Sequence, residues 1–162
     1  MAIKVKNVSP KPCCTLLPPV KNRLRPPSGF AILTTMANKK ILLVEDSKPL
    51  REVMAERLRE GGFDVTEASG GEEGLRIALE QKPDMIITDI IMFPLDGLEL
   101  AKRVRESGVW GERVHIVALT NQDSSQEKAR IEPLNLSAYM VKAETSLDTI
   151  AKEVQKVFKE KK

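Results

Sequence analysis

The sequence predicts an α/β fold, a doubly wound sheet of five parallel strands covered by five helices. Three observations lead there. From Lys39 onward, short runs rich in Val, Ile and Leu alternate with amphipathic stretches of helical period, the pattern of repeated βαβ units. The runs are apolar almost throughout, as befits strands covered on both faces. Five such units fill about 125 residues, the size of one ordinary domain, and leave nothing for a second.

The first strand is Lys40 to Val44. Ser47 then stands as a helix N-cap with Pro49 just inside, and Leu50, Val53, Met54 and Leu58 recur on one face until Gly61-Gly62 ends the helix. The second strand, Asp64 to Ala68, leads through Gly70-Gly71 into a helix over about Glu72 to Gln81, which stops before Pro83. The third strand is Met85 to Thr88, and its helix carries Leu98, Ala101 and Val104 on one stripe. The fourth, Val114 to Leu119, precedes a short helix around Ser125 to Glu132, broken by Pro133. The fifth, Ala138 to Val141, precedes a helix with a capping-box pattern, Thr145-Ser-Leu-Asp148. That helix places Leu147, Ile150, Ala151, Val154, Val157 and Phe158 on its buried stripe.

Six of the ten prolines lie before residue 36, together with Lys4, Lys6, Lys11, Lys21, Arg23 and Arg25 and no Asp or Glu. This predicts a disordered, basic, Pro-rich tail over residues 1–37, followed by the domain at 38–162. Met36, followed by a polar turn and an immediate strand, also has the form of a natural start, which would make residues 1–35 an upstream extension. A total charge of +3 with +6 in the tail leaves −3 for the domain, which excludes a nucleic-acid-binding surface on the domain itself. No apolar run approaches the roughly 20 residues of a membrane-spanning helix, so no membrane insertion is expected. Cys13 and Cys14 are adjacent and give neither a disulfide framework nor metal-ligand spacing, and a cytoplasmic location is expected.

The chemistry gathers where strands end. ILLV runs into Glu45-Asp46, and MIIT runs into Asp89, after which the apolar run resumes as Ile90, Ile91 and Met92. Burying an unpaired carboxylate costs several kcal/mol, so Asp89 belongs at a strand end with a task. In open parallel sheets the ligand crevice lies beyond the carboxyl ends of the strands, where the strand order reverses. If the first and third strands are neighbours, their terminal acids converge there. Two carboxylates 4 Å apart repel by about 4 kcal/mol at an effective dielectric near 20, so a cation is required. Mg²⁺ takes one or two carboxylates and keeps positions open for phosphate oxygens. Thr120 closes the fourth strand and Lys142 the fifth. Each has a plainer reading alone, as a strand residue and a solvated charge, but jointly they complete a pocket able to hold a phosphoryl group.

The motifs LLVEDS, TDIIMFPLDG, ALT and YMVK occur in that order, with Asp46, Asp89, Thr120 and Lys142 spaced by 43, 31 and 22 residues. On them, residues 39–158 resemble a response-regulator receiver domain, the phosphoacceptor module of two-component signalling. The resemblance implies a flavodoxin-like strand order, 2-1-3-4-5. It also implies that Asp89 accepts a phosphoryl group from a histidine kinase or phosphotransfer protein. Mg²⁺ would be held by Glu45, Asp46, Asp89 and the backbone carbonyl of Ile91. Thr120 and Lys142 would engage the phosphate, Tyr139 would be the switch aromatic, and a downstream protein would read the face of the fourth helix, fifth strand and fifth helix. Because the chain ends with the fifth helix, a stand-alone regulator is expected.

The chain departs from the family pattern in places. Phe93 stands where a proline usually follows the methionine, with Pro94 next, but the spacing to Asp96-Gly97 is kept. Ala143 replaces the proline after the lysine; a cis bond there would cost roughly 2.5 to 4 kcal/mol, so an altered backbone around Lys142 is expected. Asn121 narrows access to the phosphate, and Asn135 takes a place where glycine is usual, tolerating the left-handed conformation. Two other readings stand beside this one. A phosphorylation-independent scaffold is one; a haloacid dehalogenase-type phosphohydrolase is the other, but it wants a second acid two residues past the nucleophile, where Ile91 stands. His115 and Trp110 read as packing residues, and no GxGxxG or P-loop pattern supports nucleotide binding.

Overall fold

A computed structural model describes residues 39–121 and 129–160. The expected tail over 1–37 and the expected start of the fourth helix at Ser125 lie outside the described residues. Five parallel strands form one sheet: β1 (Lys40–Val44), β2 (Asp64–Ala68), β3 (Met85–Asp89), β4 (His115–Thr120) and β5 (Ala138–Val141). Their order is β2-β1-β3-β4-β5, as expected. Composition explains the order: β3 is buried along its whole length and β1 at all but Lys40, whereas the edge strands β2 and β5 carry half-exposed residues.

The helices are α1 (Lys48–Glu60), α2 (Gly71–Gln81), α3 (Gly97–Arg105), α4 (Val109–Arg113) and α5 (Leu147–Lys159). Residues 129–131 are helical and pass into a 3-10 turn at Glu132–Leu134. Successive strand residues point to opposite faces, so the core divides in two. Leu42, Val44, Ile86, Ile116 and Ala118 pack with Ile77 and Ala78 of α2 and Leu98, Ala101 and Val104 of α3. Ile41, Leu43, Ile87, Val117 and Leu119 pack with Met54 and Leu58 of α1 and Ile150, Val154 and Val157 of α5. No helix among the described residues is long and apolar enough to cross a membrane.

Three local expectations shift. Helix α4 was not expected, because five residues are too few to display a period. The third and fourth strands each run one residue further, so Asp89 and Thr120 are the last strand residues. The last helix is capped by Ser146, whose Oγ accepts the Thr149 N–H at 3.2 Å, one residue later than the capping-box pattern placed it. Asp148 instead accepts a hydrogen bond from Arg57 Nε of α1 at 2.7 Å.

Arg105 does more than its place at the end of α3 suggests. Its guanidinium donates to the carbonyls of Gly111 (2.6 Å), Val114 (2.8 Å), Leu134 (2.9 Å) and Asn135 (3.0 Å), and burial lowers its pKa. It therefore ties α3 to α4 and to the connection entering β5, where Asn135 adopts the expected left-handed conformation. Arg105→Met keeps the apolar stem and strands these carbonyls. It is expected to cost about 2–3 kcal/mol, measured by urea denaturation. A loss under about 0.5 kcal/mol would show that water replaces the guanidinium without penalty.

Candidate functional site

The site follows from the pairing of β1 with β3, in which Val44 lies beside Thr88. The next residue of each strand is an acid, so Glu45 and Asp89 emerge side by side. Glu45 is still held by its N–H on Ala68 O at 3.1 Å, and Asp89 still registers with Leu119 of β4. One carboxylate oxygen from each of Glu45, Asp46 and Asp89 lies within 4.8 Å of the others. Glu45 and Asp89 are buried and Asp46 is exposed.

Lys142, in the 3-10 turn Lys142–Glu144 after β5, closes the group. Its Nζ donates to Glu45 Oε2 at 2.6 Å and to Asp89 Oδ2 at 2.7 Å, and its side chain is 12% exposed. Among the described residues the single cis peptide precedes Pro94, so the bond before Ala143 is trans, and Lys142 reaches both acids without the family's proline. Burial pushes the Glu45 carboxyl above its usual range; Lys142 pulls it back and the Asp89 charge adds to the rise. The second oxygen of Asp89, Oδ1, accepts the Ile91 N–H at 3.2 Å. Where a haloacid dehalogenase-type hydrolase carries its second acid, Ile91 presents an exposed apolar side chain.

Three carboxylates against one ammonium leave about two negative charges beside an exposed opening. Oxygen donors only, a compact spacing and that excess of charge fit a hard divalent cation such as Mg²⁺. Thr120 is fully buried at the end of β4, one residue past the partner of Asp89. Tyr139 registers with Ala118 and packs, half-buried, with Ile131, Leu134 and Leu136 against the α2–α3 side of the core. Trp110 and His115 lie at the other end of the sheet.

The sequence left the roles of several supporting residues unread. Arg51 donates to the Glu45 carbonyl at 2.7 Å and so fixes the loop that carries two of the acids; its signal was a position one turn past Ser47 on α1. Gly97 lies against the end of β3: a Cβ there would meet Asp89 O at 1.9 Å, so glycine is sterically required at that place. Asp96 caps α3, accepting the Glu99 N–H at 2.7 Å, and Arg130 donates to its other oxygen at 2.6 Å. Burial raises the Asp96 pKa, but these partners outweigh it and hold the carboxyl below its ordinary value. Asp96 therefore adds stability above the ordinary value of 3.8 and loses it as pH falls further. Asp96→Ala is expected to cost about 1–2 kcal/mol at neutral pH, with the difference narrowing in acid, as read by denaturation at both pH values.

A family model described as the response regulator receiver domain matches residues 41–155. The alkaline phosphatase synthesis transcriptional regulatory protein PhoP of Bacillus subtilis is 36% identical over 105 residues, which are 65% of this chain and 42% of that protein. The chain thus matches less than half of that relative's length. Among solved structures, the chemotaxis protein CheY4 of Vibrio cholerae aligns with TM-score 0.69 and 30% identity, over 75% of this chain and 99% of that one. A response regulator of Chloroflexus aurantiacus aligns with TM-score 0.69 and 26% identity, over 76% and 99%.

Proposed function

The chain belongs to the response regulator receiver domain family, and on that premise we propose that it is a phosphorylation switch in which Asp89 accepts a phosphoryl group from a histidine kinase or phosphotransfer protein. The observation that carries this reading is the buried Asp89 carboxylate at the end of a central strand, held by one lysine between two further acids. Glu45, Asp46, the Asp89 carboxylate and the Ile91 carbonyl would hold Mg²⁺, which would supply charge neutralisation as phosphate arrives. An Asp89 oxygen attacks phosphorus, the P–N bond to the donor imidazole breaks, and its electron pair stays on nitrogen. An acyl phosphate results.

The residues of the chain prepare this step by position and charge. The Ile91 N–H and Lys142 fix the two Asp89 oxygens, so little rearrangement is needed. Lys142 then passes one of its contacts to a phosphate oxygen. The modification adds nearly two negative charges and three acceptors. Thr120, at the adjoining strand end, would turn its hydroxyl to one of those acceptors, and Tyr139 would repack against the 129–134 segment. The partner-reading face would comprise that segment, β5 and α5. Intact-protein mass spectrometry after incubation with acetyl phosphate and Mg²⁺ tests the proposal: one added phosphoryl group is expected, and an unmodified chain contradicts it.

A further inference from the structure

The end of the sheet opposite the acidic cluster holds a second concavity. Between the starts of β1, β3 and β4 and the end of α5 lies an open cavity of about 330 Å³. Trp110, Phe158 and His115 line it, and Lys39, Lys82 and Arg113 bring charge to it. Parallel strands of four to six residues separate it from Asp89 by roughly 15 Å, so it is distinct from the site above.

Its walls are fixed. The Trp110 indole N–H donates to Pro83 O at 3.1 Å, and Phe158 is held edge-on to His115 and tilted against Phe63, each at 5.7 Å between ring centres. His115 Nδ1 lies 3.1 Å from Ser137 Oγ. Its charges are unevenly engaged. Asp84 accepts from Lys39 Nζ at 2.8 Å and from the Lys40 N–H at 2.9 Å, which neutralises Lys39. The side chains of Lys82 and Arg113 make no hydrogen bond or ion pair among the described residues, although the Lys82 backbone N–H donates to Ala78 O at 3.0 Å. Lys82 moreover caps α2 at φ 47, a left-handed position where glycine is the usual occupant, so a lysine there carries a conformational cost.

We propose that this cavity is a second ligand site, for a planar aromatic ring that carries a phosphate or carboxylate group. The ring stacks on Trp110 beside Phe158, whose own ring already carries the Lys39 ammonium at 5.7 Å, and the anion meets Lys82 and Arg113. Aromatic faces take flat rings by stacking, and a guanidinium grips two oxyanion oxygens at once. A volume near the lower end of the ligand-pocket range suits one or two fused rings.

Trp110 is the only tryptophan, so its fluorescence in the full chain reports occupancy. Adenosine 5′-monophosphate and benzoate serve as the phosphate and carboxylate probes, with adenosine and inorganic phosphate as the separated halves of the first. At least one anionic ring is expected to give a saturable change with a dissociation constant of about 1 mM or tighter; if it is the nucleotide, each half binds at least about tenfold more weakly. Which probe binds assigns the anion. Combining Lys82→Glu with Arg113→Glu, both at exposed positions, is expected to weaken binding by about tenfold or more while circular dichroism stays unchanged. No saturable change with either probe, or equal affinity in the doubly substituted chain, overturns the proposal.

Discussion

Asp89→Asn is expected to abolish phosphorylation by acetyl phosphate and Mg²⁺ completely, with no residual labelled species in the mass spectrum. The amide has nearly the shape of the carboxylate, so the Ile91 N–H retains its acceptor and Lys142 retains Glu45. The fold therefore survives, and what disappears is the anionic nucleophile. Glu45 does not substitute for it: its carboxyl is buried, bound to Lys142 and approached by the Ser47 N–H at 3.4 Å. A labelled Asp89→Asn protein would move the phosphoacceptor to another residue and end the proposed assignment. The unsubstituted chain, treated in parallel, supplies the positive control.

Lys142→Met should have the largest effect on stability. The side chains of Glu45 and Asp89 are 2% and 4% exposed, and the ammonium between them is their common partner. Removing one member of a buried ionic group leaves the others uncompensated, which costs about 3–5 kcal/mol. Burial already disfavours the Glu45 anion, so much of that loss falls on Glu45. Mg²⁺ should bind the variant at least as tightly, since the competing cation is gone, and at a hundredfold excess over its dissociation constant restore about 2.7 kcal/mol. Urea denaturation with and without Mg²⁺ measures both effects. A variant as stable as the parent in the absence of metal would show that the bridge contributes nothing. Trp110, at the far end of the sheet, is a poor reporter of this metal, and Tyr139 is better placed.

What the sequence disclosed, and what it withheld, divides by the range of the forces involved. The five strands were legible because burial on both faces demands apolar residues at nearly every position, a constraint written locally. The strand-end placement of Glu45, Asp46, Asp89, Thr120 and Lys142 was legible for the same reason, since each polar residue interrupts such a run. That Lys142 would bridge two acids 97 and 53 residues away was not, because it depends on the turn after β5. Ala143 put the backbone there and the aim of Lys142 in question; the peptide before it is trans, and the amine meets both Glu45 and Asp89. Arg105 was invisible for a different reason. On a helix face an arginine reads as solvated, and its four acceptors are main-chain carbonyls, which every residue possesses.

The grip of Arg105 on the carbonyls of Leu134 and Asn135 has a mechanical consequence. It pins the foot of the segment that leads into β5, while Arg130 meets Asp96 nearer the loop that follows Asp89. A strip clasped at both extremities cannot slide. Any rearrangement set off at Asp89 therefore has to part the solvent-facing Arg130–Asp96 pair before residues 129–134 can swing, while the main-chain clasp at residue 135 holds.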